Sequence, residues 1–260
     1  MFRFCLSILA LPVLLAITSF NMQAPRDYTV ADAHSHNDYK NSIPFYRAYN
    51  DGFGSIEADV YAVNGRLLVA HEESEITPAR SLKAMYINPL VTNLKKDKAR
   101  RLRLLIEIKK DYTITLPLVL KELRPLRKYF SYPSHPGKLT ITMTGAVPPG
   151  PVMLQYPGWL NFDVGHLKGY TTEQLKKIEL VSADFWEYSK WNGRSELKAP
   201  DVKRLKGIID SAHAAGKKVR FYGTPDTPLC WKTMIELNTD VINTDHLDEL
   251  AEFLNRKAYR

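Results

Sequence analysis

The sequence predicts an α/β fold, a TIM (β/α)8 barrel with a short β-hairpin inserted after strand two. Apolar, strand-like runs alternate with helix-like segments along the 260 residues, and they number about eight, as this barrel requires. Several runs end in His, Asn, Asp, Glu or Lys, a pattern typical of a site at the C-terminal rim of a parallel barrel. No Gly-rich dinucleotide-binding loop follows the first run, which disfavours an open doubly wound sheet.

The barrel strands are predicted where runs rich in β-branched and aromatic residues lie between turn signals. They are expected at residues 28–33, 54–61, 104–108, 138–143, 159–164, 180–184, 218–222 and 241–244. A further short strand, residues 66–71, follows Asn64-Gly65, which is a strong signal for a hairpin turn. The chain is therefore expected to reverse after strand two before it crosses to strand three.

The helices are predicted from the polar caps, Pro and Gly residues at their ends. They are expected at residues 43–50, 116–129, 172–178, 200–215, 230–238 and 246–254, with a short helix broken by Pro89 inside 79–94. Pro117 suits the first turn of the helix at 116–129. Gly216 suits the left-handed position that ends the helix at 200–215.

The first 24 residues differ from the rest of the chain. Arg3 gives a short positive start, residues 4–20 are almost wholly apolar, and small and polar residues follow up to Ala24. This layout predicts a secretory signal peptide on an exported protein, with residues 25–260 forming a single barrel domain. An uncleaved membrane anchor is the alternative, although the apolar run is short for a span. Cys5 lies in this segment, so only Cys230 remains and no internal disulfide is expected.

The chain is basic, with a formal net charge of +8 at pH 7. Its Lys and Arg residues are concentrated in two clusters, at residues 95–103 and 121–128. These clusters are either solvated helix faces or surfaces that attract an anionic substrate or an anionic membrane surface. No basic motif interleaved with aromatic residues is present in the sequence, so a nucleic acid is not an expected partner.

Three acidic residues at or near strand ends predict a metal site. Glu57 and Asp59 are two residues apart on strand two, so both side chains point to one face. Two carboxylates on one face repel each other unless a cation lies between them, and hard divalent ions prefer such oxygen ligands. Glu107 ends strand three and is a candidate third ligand. Lys109 shares its face and is either an ion-pair partner or a group that binds a phosphate oxygen.

Three imidazoles are expected beside these carboxylates, because His34, His36 and His71 also follow predicted strands. Two imidazoles that flank a metal can serve as general base and general acid in a hydrolysis. A single His is more often structural, but three of them at strand ends beside a set of carboxylates favour a hydrolytic site.

Together these residues resemble the phospholipase C-like phosphodiesterase superfamily, in the order His-Asn, Glu-x-Asp, His, Glu-x-Lys. This superfamily contains the glycerophosphodiester phosphodiesterases and the phosphatidylinositol-specific phospholipases C. The likeness is greatest to the branch that opens with His-Ser-His-Asn-Asp-Tyr, here residues 34–39. It is densest over residues 33–71 and 104–109 and includes the ending Thr-Asp-Val-Ile-Asn-Thr-Asp at 239–245.

The resemblance implies a metal-dependent phosphoric diester hydrolase that acts on a glycerophosphodiester or a phospholipid head group, and the predicted signal peptide implies that it is exported. One divalent cation, Ca2+ or Mg2+, would be held by Glu57, Asp59 and Glu107, with His71 as one of the two catalytic His residues. The substrate would be bound by Lys109 and by three aromatic residues. These are Tyr39, which ends the motif, and Trp186 and Tyr222, which lie at or past the ends of strands six and seven.

The other catalytic His has two candidates. The Ser-His-Asn pattern of the eukaryotic phospholipases implies His36, with Asn37 as a further metal ligand. The Ala-His pattern of the glycerophosphodiesterases implies His34 instead. His36 is favoured because Asn37 follows it.

Two other functions stay open. His34 and His36 also fit the strand-one His-x-His motif of metal-dependent amidohydrolases, with Asp245 as the strand-eight Asp. That class usually needs two more His at strands five and six, and His166 is the one His near those positions. The non-enzymatic alternative is a barrel that binds a phosphorylated head group without turnover.

The hairpin turn is expected to decide where His71 points, since side chains alternate faces along a strand. A two-residue Asn-Gly loop leads to a register with His71 opposite Ala58, away from the carboxylates. A three-residue loop with a left-handed Gly65 sets His71 opposite Glu57. The chemistry therefore predicts the three-residue loop, a positive φ at Gly65, and His71 on the side of Glu57 and Asp59.

Overall fold

The computed structural model describes residues 26–96, 100–132 and 134–259, so the predicted signal peptide lies outside the described residues. Within them, eight parallel strands form a nearly closed barrel with helices around it, and one further strand makes a hairpin with the second. The predicted (β/α)8 barrel and its hairpin insertion are therefore confirmed. No helix in the described part of the chain is both long and apolar enough to cross a bilayer.

The strands follow the predicted order with small differences at their ends. They are β1 Ala33–Ser35, β2 Ser55–Val63, β3 Arg66–Val69, β4 Leu102–Ile108, β5 Leu139–Gly145, β6 Leu160–Val164, β7 Ile178–Asp184, β8 Lys218–Tyr222 and β9 Ile242–Thr244. The order across the sheet is β8-β7-β6-β5-β4-β2-β1-β9. A single bridge closes the barrel between β8 and β9, where the Val241 amide donates to the Val219 carbonyl at 3.1 Å.

Many of the helices between the strands are short. They are α1 Tyr46–Asp51, α2 Asn88–Leu94, α3 Tyr112–Glu122, α4 Gly150–Met153, α5 Thr172–Leu175, α6 Phe185–Tyr188, α7 Ala199–Ala214, α8 Pro228–Glu236 and α9 Leu247–Asn255. One turn of π-helix, Lys83–Ile87, leads into α2, and a 3-10 helix, Arg124–Tyr129, follows α3. Pro89 is the second residue of α2 and follows directly on the π-helical turn, so the helical backbone continues through it and the predicted break at Pro89 is wrong.

The prediction of strand one at residues 28–33 is wrong for most of its length. Val30–Asp32 form a 3-10 turn, held by the Thr29 amide, which donates to the Asp32 carboxylate at 2.9 Å. Tyr28 is buried, and its hydroxyl donates to the Thr239 carbonyl at 2.9 Å. The apolar residues here pack beneath the barrel, so their hydrophobicity does not indicate a strand. The strand begins at Ala33 instead and therefore carries His34 itself.

Two predicted helices have different bounds for local reasons. α3 begins at Tyr112 because the Asp111 side chain caps it by accepting the Thr113 amide at 2.7 Å. Pro117 consequently lies inside the helix, and residues 124–129 form the separate 3-10 helix. The helix expected at 172–178 is a single turn, because Ile178 already pairs with Phe162 as the start of β7.

The hairpin turn differs from the prediction, although the position of His71 agrees with it. Val63 pairs with Arg66, so the loop has two residues, Asn64 and Gly65, with φ of 49° and 73°. The positive φ at Gly65 is confirmed, and the three-residue loop is wrong. The ladder ends at Val69, so strand register does not extend to His71. The chain leaves the sheet there, and His71 Nδ1 lies 3.3 Å from Asp59 Oδ2, on the expected side.

The barrel interior is unusually polar at both ends. On β2, Ile56 and Ala58 pack outward into the main core, whereas Glu57 and Asp59 alternate inward. Leu105, Leu180 and Val241 form a small apolar cluster separate from that core. The C-terminal mouth of the barrel therefore collects the acidic and imidazole groups, as the sequence predicts.

Candidate active site

Three carboxylates meet at the C-terminal ends of β2 and β4. Asp59 lies beside Glu107 in the parallel register, and Glu57 precedes Asp59 by two residues on the same face. Each of the three offers one oxygen, and these oxygens lie within 4.8 Å of one another. Glu57 and Asp59 are buried and Glu107 is partly buried, so all three predicted acidic ligands are brought together.

The electrostatics of this cluster fit a bound divalent cation. Burial and the charges of Asp59 and Glu57 together raise the pKa of Glu107 to about 7. Burial and the charge of Glu57 likewise raise the pKa of Asp59. Asp59 Oδ1 is buried and has no hydrogen-bond partner among the described residues. A cation among these oxygens would offset the repulsion between the carboxylates and would give Asp59 Oδ1 a partner. A set of oxygen ligands suits Ca2+ or Mg2+.

A buried arginine that the sequence does not predict balances one of these carboxylates. Arg220 on β8 extends across the barrel and places Nη1 3.1 Å from Glu57 Oε2 and Nε 2.9 Å from Ser182 Oγ. Burial alone would raise the pKa of Glu57, but the Arg220 charge, the hydrogen bond with His34 and the charge of His36 together outweigh burial and lower that pKa. The signal was present in the sequence: Arg220 lies between Val219 and Phe221 on a strand, so it must alternate inward.

His34 lies in the closed interior beneath the carboxylates. Its side chain has no exposed surface, with Nδ1 2.7 Å from Ser55 Oγ and Nε2 2.7 Å from Glu57 Oε2. Burial and the nearby Arg220 charge lower the pKa of His34 to about 3. Because it is neutral and enclosed, the His34 imidazole is better suited to orient Glu57 than to exchange protons with a substrate.

His36 lies at the open rim, with 23% of its side chain exposed. Its Nδ1 is 2.9 Å from Asp245 Oδ1, and the Asn37 amide nitrogen is 3.0 Å from the same Nδ1. Burial lowers the pKa of His36, but the hydrogen bond to Asp245 and the charge of Glu57 outweigh it, so the net shift is upward. The sequence offers Asp245 only as a possible amidohydrolase residue, whereas the structure pairs it with His36.

The remaining predicted groups surround Asp59 on its other side. The Tyr39 hydroxyl lies 2.7 Å from Asp59 Oδ2, 2.6 Å from Asn37 Oδ1 and 3.1 Å from His71 Nδ1. The Lys109 ammonium lies 3.3 Å from Asp59 Oδ2. Burial lowers the pKa of Lys109, but the charge of Asp59 and that of the neighbouring Glu107 outweigh it, so Lys109 stays protonated. Tyr39 itself is buried, so it is better placed to orient Asp59 than to contact a substrate.

The loop that carries His36 and Asn37 is held by a buried acid. Asp38 accepts hydrogen bonds from Ser35 Oγ at 2.8 Å, from the Phe45 amide at 2.6 Å and from the Tyr86 hydroxyl at 3.0 Å. Asn37 adopts a left-handed φ of 48°, which Asn tolerates better than most residues. The Ser and Asp of the His-Ser-His-Asn-Asp-Tyr motif are therefore structural: they shape the loop that presents the imidazole.

A cavity of about 380 Å3 opens beside His36, Glu57 and Glu107. Its far wall comes from β5 to β8 and from the loop after β6, and it carries both polar and aromatic side chains. The wall comprises Thr144, Asp163, Ser182, Arg220, Tyr170 and Tyr222. Tyr222 is thus placed at the site. Trp186 lies next to Gly223, is 41% exposed and does not line this cavity.

Replacing Arg220 should destabilise the protein strongly. Arg220→Met leaves Glu57 buried without its cation, and breaking a buried ion pair in this way costs about 3–5 kcal/mol. We expect this loss in the free energy of unfolding from denaturant titration. Arg101→Met is the control, since Arg101 is exposed at the opposite end of the barrel, and it should change stability by less than about 0.5 kcal/mol. Similar values for the two variants would contradict the role given to Arg220.

Asp163→Asn should stabilise the protein at neutral pH. Asp163 is buried, neither carboxylate oxygen has a hydrogen-bond partner among the described residues, and Arg220 Nη2 lies 3.7 Å from Oδ2. Burial outweighs the charge of Arg220 and raises the pKa of Asp163 from 3.8 to about 6. The folded state therefore holds this proton more tightly than the unfolded chain, so stability is lost as pH rises from 3.8 to about 6. Removing the acid should recover about 3 kcal/mol above pH 6 and almost nothing near pH 4, measured by denaturation across pH. A variant that is less stable than the parent at neutral pH would contradict this burial cost.

Comparisons with known proteins agree with the fold and the motif. Residues 22–101 match the sequence model of a family described as the AIM6-like phosphodiesterase domain. The chain is 29% identical over 255 residues to the Altered inheritance of mitochondria protein 6 homolog of Arthroderma benhamiae, covering 83% of this chain and 81% of that protein. It is also 29% identical over 310 residues to Altered inheritance of mitochondria protein 6 of Candida glabrata, covering 91% and 74%.

A solved structure supports the same assignment of fold. The crystal structure of glycerophosphodiester phosphodiesterase from Agrobacterium tumefaciens str. C58 matches with a TM-score of 0.50 and 16% identity, covering 86% of this chain and all of that one. Identity at this level shows the fold alone. The family match over residues 22–101 and the motifs confirm the resemblance to the phospholipase C-like phosphodiesterase superfamily, and the solved structure supports the fold.

Proposed function

We propose that the chain is a metal-dependent phosphoric diester hydrolase that acts on a glycerophosphodiester or a phospholipid head group. The observation that carries this proposal is the cluster of Glu57, Asp59 and Glu107 with two partly exposed imidazoles beside it. His36 lines the cavity, and His71 Nδ1 lies 3.3 Å from Asp59 Oδ2. The Lys109 ammonium beside the cluster adds a cation that suits a phosphate oxygen.

The carboxylates would hold one Ca2+ or Mg2+, which when bound would offset the negative charge of the phosphate. Asn37 Oδ1 lies near the cluster, because the Tyr39 hydroxyl contacts both this oxygen and Asp59 Oδ2. Asn37 is therefore the candidate for a further oxygen ligand. Tyr39 and His34 orient Asp59 and Glu57, and Lys109 binds a non-bridging phosphate oxygen.

His36 and His71 exchange protons with the two alcohol oxygens of the substrate. One takes the proton of the attacking hydroxyl, which belongs to water or to the substrate itself, and the other protonates the leaving alkoxide. Asp245 accepts from His36 Nδ1, fixes the tautomer and stabilises the imidazolium, which leaves Nε2 for the substrate. The wall that contains Tyr222 is placed to contact the alcohol portion.

Export and membrane contact belong to the same proposal. The positive start at Arg3 and the apolar run over residues 4–20 support a cleaved signal peptide. The N-terminal sequence of the mature protein, recovered from its native host, tests this, since a chain that still begins at Met1 contradicts cleavage. An anionic membrane surface is a proposed partner on the strength of the basic clusters.

One experiment separates the alternatives. Hydrolysis of glycerophosphodiesters, phosphatidylinositol, sphingomyelin and lysophospholipids is measured with Ca2+ or Mg2+ and again with a chelator. Turnover that needs the metal supports the proposal. Binding of a head group without turnover under any metal condition would instead support a non-catalytic barrel. The amidohydrolase alternative is disfavoured because the candidate metal group among the described residues consists of three carboxylates without a His, and because His34 is enclosed.

A further inference from the structure

Two clusters of basic residues lie at one end of the barrel. We call this end the N-terminal face, meaning the segments that lead into the barrel strands. Both basic clusters of the sequence lie here: Lys95, Lys96 and Arg101 precede β4, and Arg124–Tyr129 precedes β5. The two clusters are neighbours in space, because α2 packs against the 3-10 helix Arg124–Tyr129. Lys217 and Lys218, at the start of β8, add to the same face.

A cavity at this mouth brings several of these cations together. It has a volume of about 350 Å3 and is lined by five cationic and three acidic side chains. All three acids are already paired: Glu179 accepts from Arg103 Nε at 2.9 Å, and Asp32 and Asp240 pair with Arg26. The positive charge is thus in excess over the acids present.

The entry point of the apolar N-terminal segment lies at the same face. Arg26 lines the cavity, so residues 1–25 join the described fold there. Residues 4–20 of that segment are almost wholly apolar. The opposite end of the barrel holds the carboxylate cluster and the exposed acids of the Glu73–Glu75 turn.

We infer that the N-terminal face docks on an anionic lipid bilayer, with the mouth of the active site directed away from that bilayer. Charge complementarity favours an anionic surface, and in the chain that still carries residues 1–25 the entry of the apolar segment at the same face favours a lipid surface over another polyanion. The inference does not depend on the proposed hydrolysis. It implies that a substrate reaches the site from the aqueous side or from a facing surface.

The test compares two charge variants of the full chain. In the face variant, Lys95, Lys96, Arg101 and Lys128 are each replaced by Gln. In the control variant, the same change is made at four exposed lysines elsewhere: Lys168, Lys190, Lys203 and Lys206. The two variants have the same net charge and the same residues 1–25, so differences between them report on the face alone. Neither variant alters a residue of the candidate active site.

Binding is measured by co-sedimentation with vesicles of phosphatidylcholine alone or mixed with phosphatidylglycerol. A surface lysine or arginine contributes about 1 kcal/mol to binding at an anionic membrane, so the face variant should lose roughly 100- to 1000-fold in partition at low salt. The control variant should lose less than about tenfold. Lysine acetylation read by mass spectrometry should show protection of Lys95 and Lys128 by the anionic vesicles, with Lys190 and Lys203 unchanged.

Three results would overturn the inference. Equal losses in the two variants would show that total charge, and not this face, attracts the bilayer. Equal binding of the parent to neutral and anionic vesicles would remove the electrostatic basis. Tighter binding of the parent to double-stranded DNA than to anionic vesicles at the same salt, lost only in the face variant, would assign the face to nucleic acid.

Discussion

Asp59→Asn should abolish both cation binding and hydrolysis while the barrel remains folded. The change removes the carboxylate whose Oδ1 is buried without a partner and whose Oδ2 contacts Tyr39 and Lys109. Because burial and the charge of Glu57 raise the pKa of Asp59, its removal should also make the cation-free protein slightly more stable. We expect no measurable Ca2+ or Mg2+ heat in titration calorimetry and a loss of at least about 1000-fold in rate.

The matched control is Glu122→Gln. Glu122 also has a buried carboxylate oxygen without a partner and a pKa raised by burial, but it lies at the end of α3, away from the cluster. Cation binding should be unchanged in this variant. Full hydrolysis by Asp59→Asn, or by the parent in a chelator, would contradict the proposed metal site.

Cation affinity should increase as pH rises through about 7. Burial and the charges of Asp59 and Glu57 raise the pKa of Glu107 to about 7 in the protein without a cation. Below that pH a proton competes with the cation for this carboxylate, and above it the competition is lost. Calorimetric titrations at several pH values should show this trend in the parent. An affinity that does not change between pH 6 and 8 would argue against Glu107 as a ligand.

His36→Ala should lower the rate by about 10^2- to 10^4-fold without destabilising the fold. The imidazole lies at the open rim and its Nδ1 is held by Asp245, so its loss removes a proton carrier and no buried contact. His71→Ala should have a similar effect. If both imidazoles exchange protons with the substrate, the rate of the parent should be bell-shaped in pH.

The matched comparisons are His34→Ala and His246→Ala. His34 is fully buried against Ser55 and Glu57, so its removal should lower the free energy of unfolding by several kcal/mol, about 2–5. His246 is exposed after β9, and its removal should change neither rate nor stability. A nearly normal His36→Ala beside a folded but inactive His34→Ala would assign the first catalytic role to His34, as the glycerophosphodiesterase-like alignment has it.

Local patterns in the sequence are sufficient to predict the barrel and the identity of its rim residues. Alternation along β2 determines that Glu57 and Asp59 share a face, since the side-chain period of a strand is two. Asn64-Gly65 determines a hairpin turn, because both residues tolerate positive φ. Strand and helix spacing then determines that these residues lie at the same end of a parallel barrel as Glu107.

Contacts between distant segments are decided only by the tertiary structure. Arg220 neutralises Glu57 from 163 residues away, and Asp245 accepts from His36 at a separation of 209 residues. No local pattern reports such pairs, because closure of the barrel brings β8 and the end of β9 against β1 and β2. The same holds for His71, whose position follows from the chain leaving the sheet after Val69.

The sequence and the tertiary structure also contribute different information about the His residues. The sequence by itself determined that His34 and His36 lie together after a short apolar run beside a carboxylate pair. Only the tertiary structure decided which one is enclosed and which one is open. His34 lies on β1 and points into the closed barrel, whereas His36 follows the strand on a loop shaped by Asp38. Burial depends on which segments cover a side chain, and those segments are far apart in the sequence.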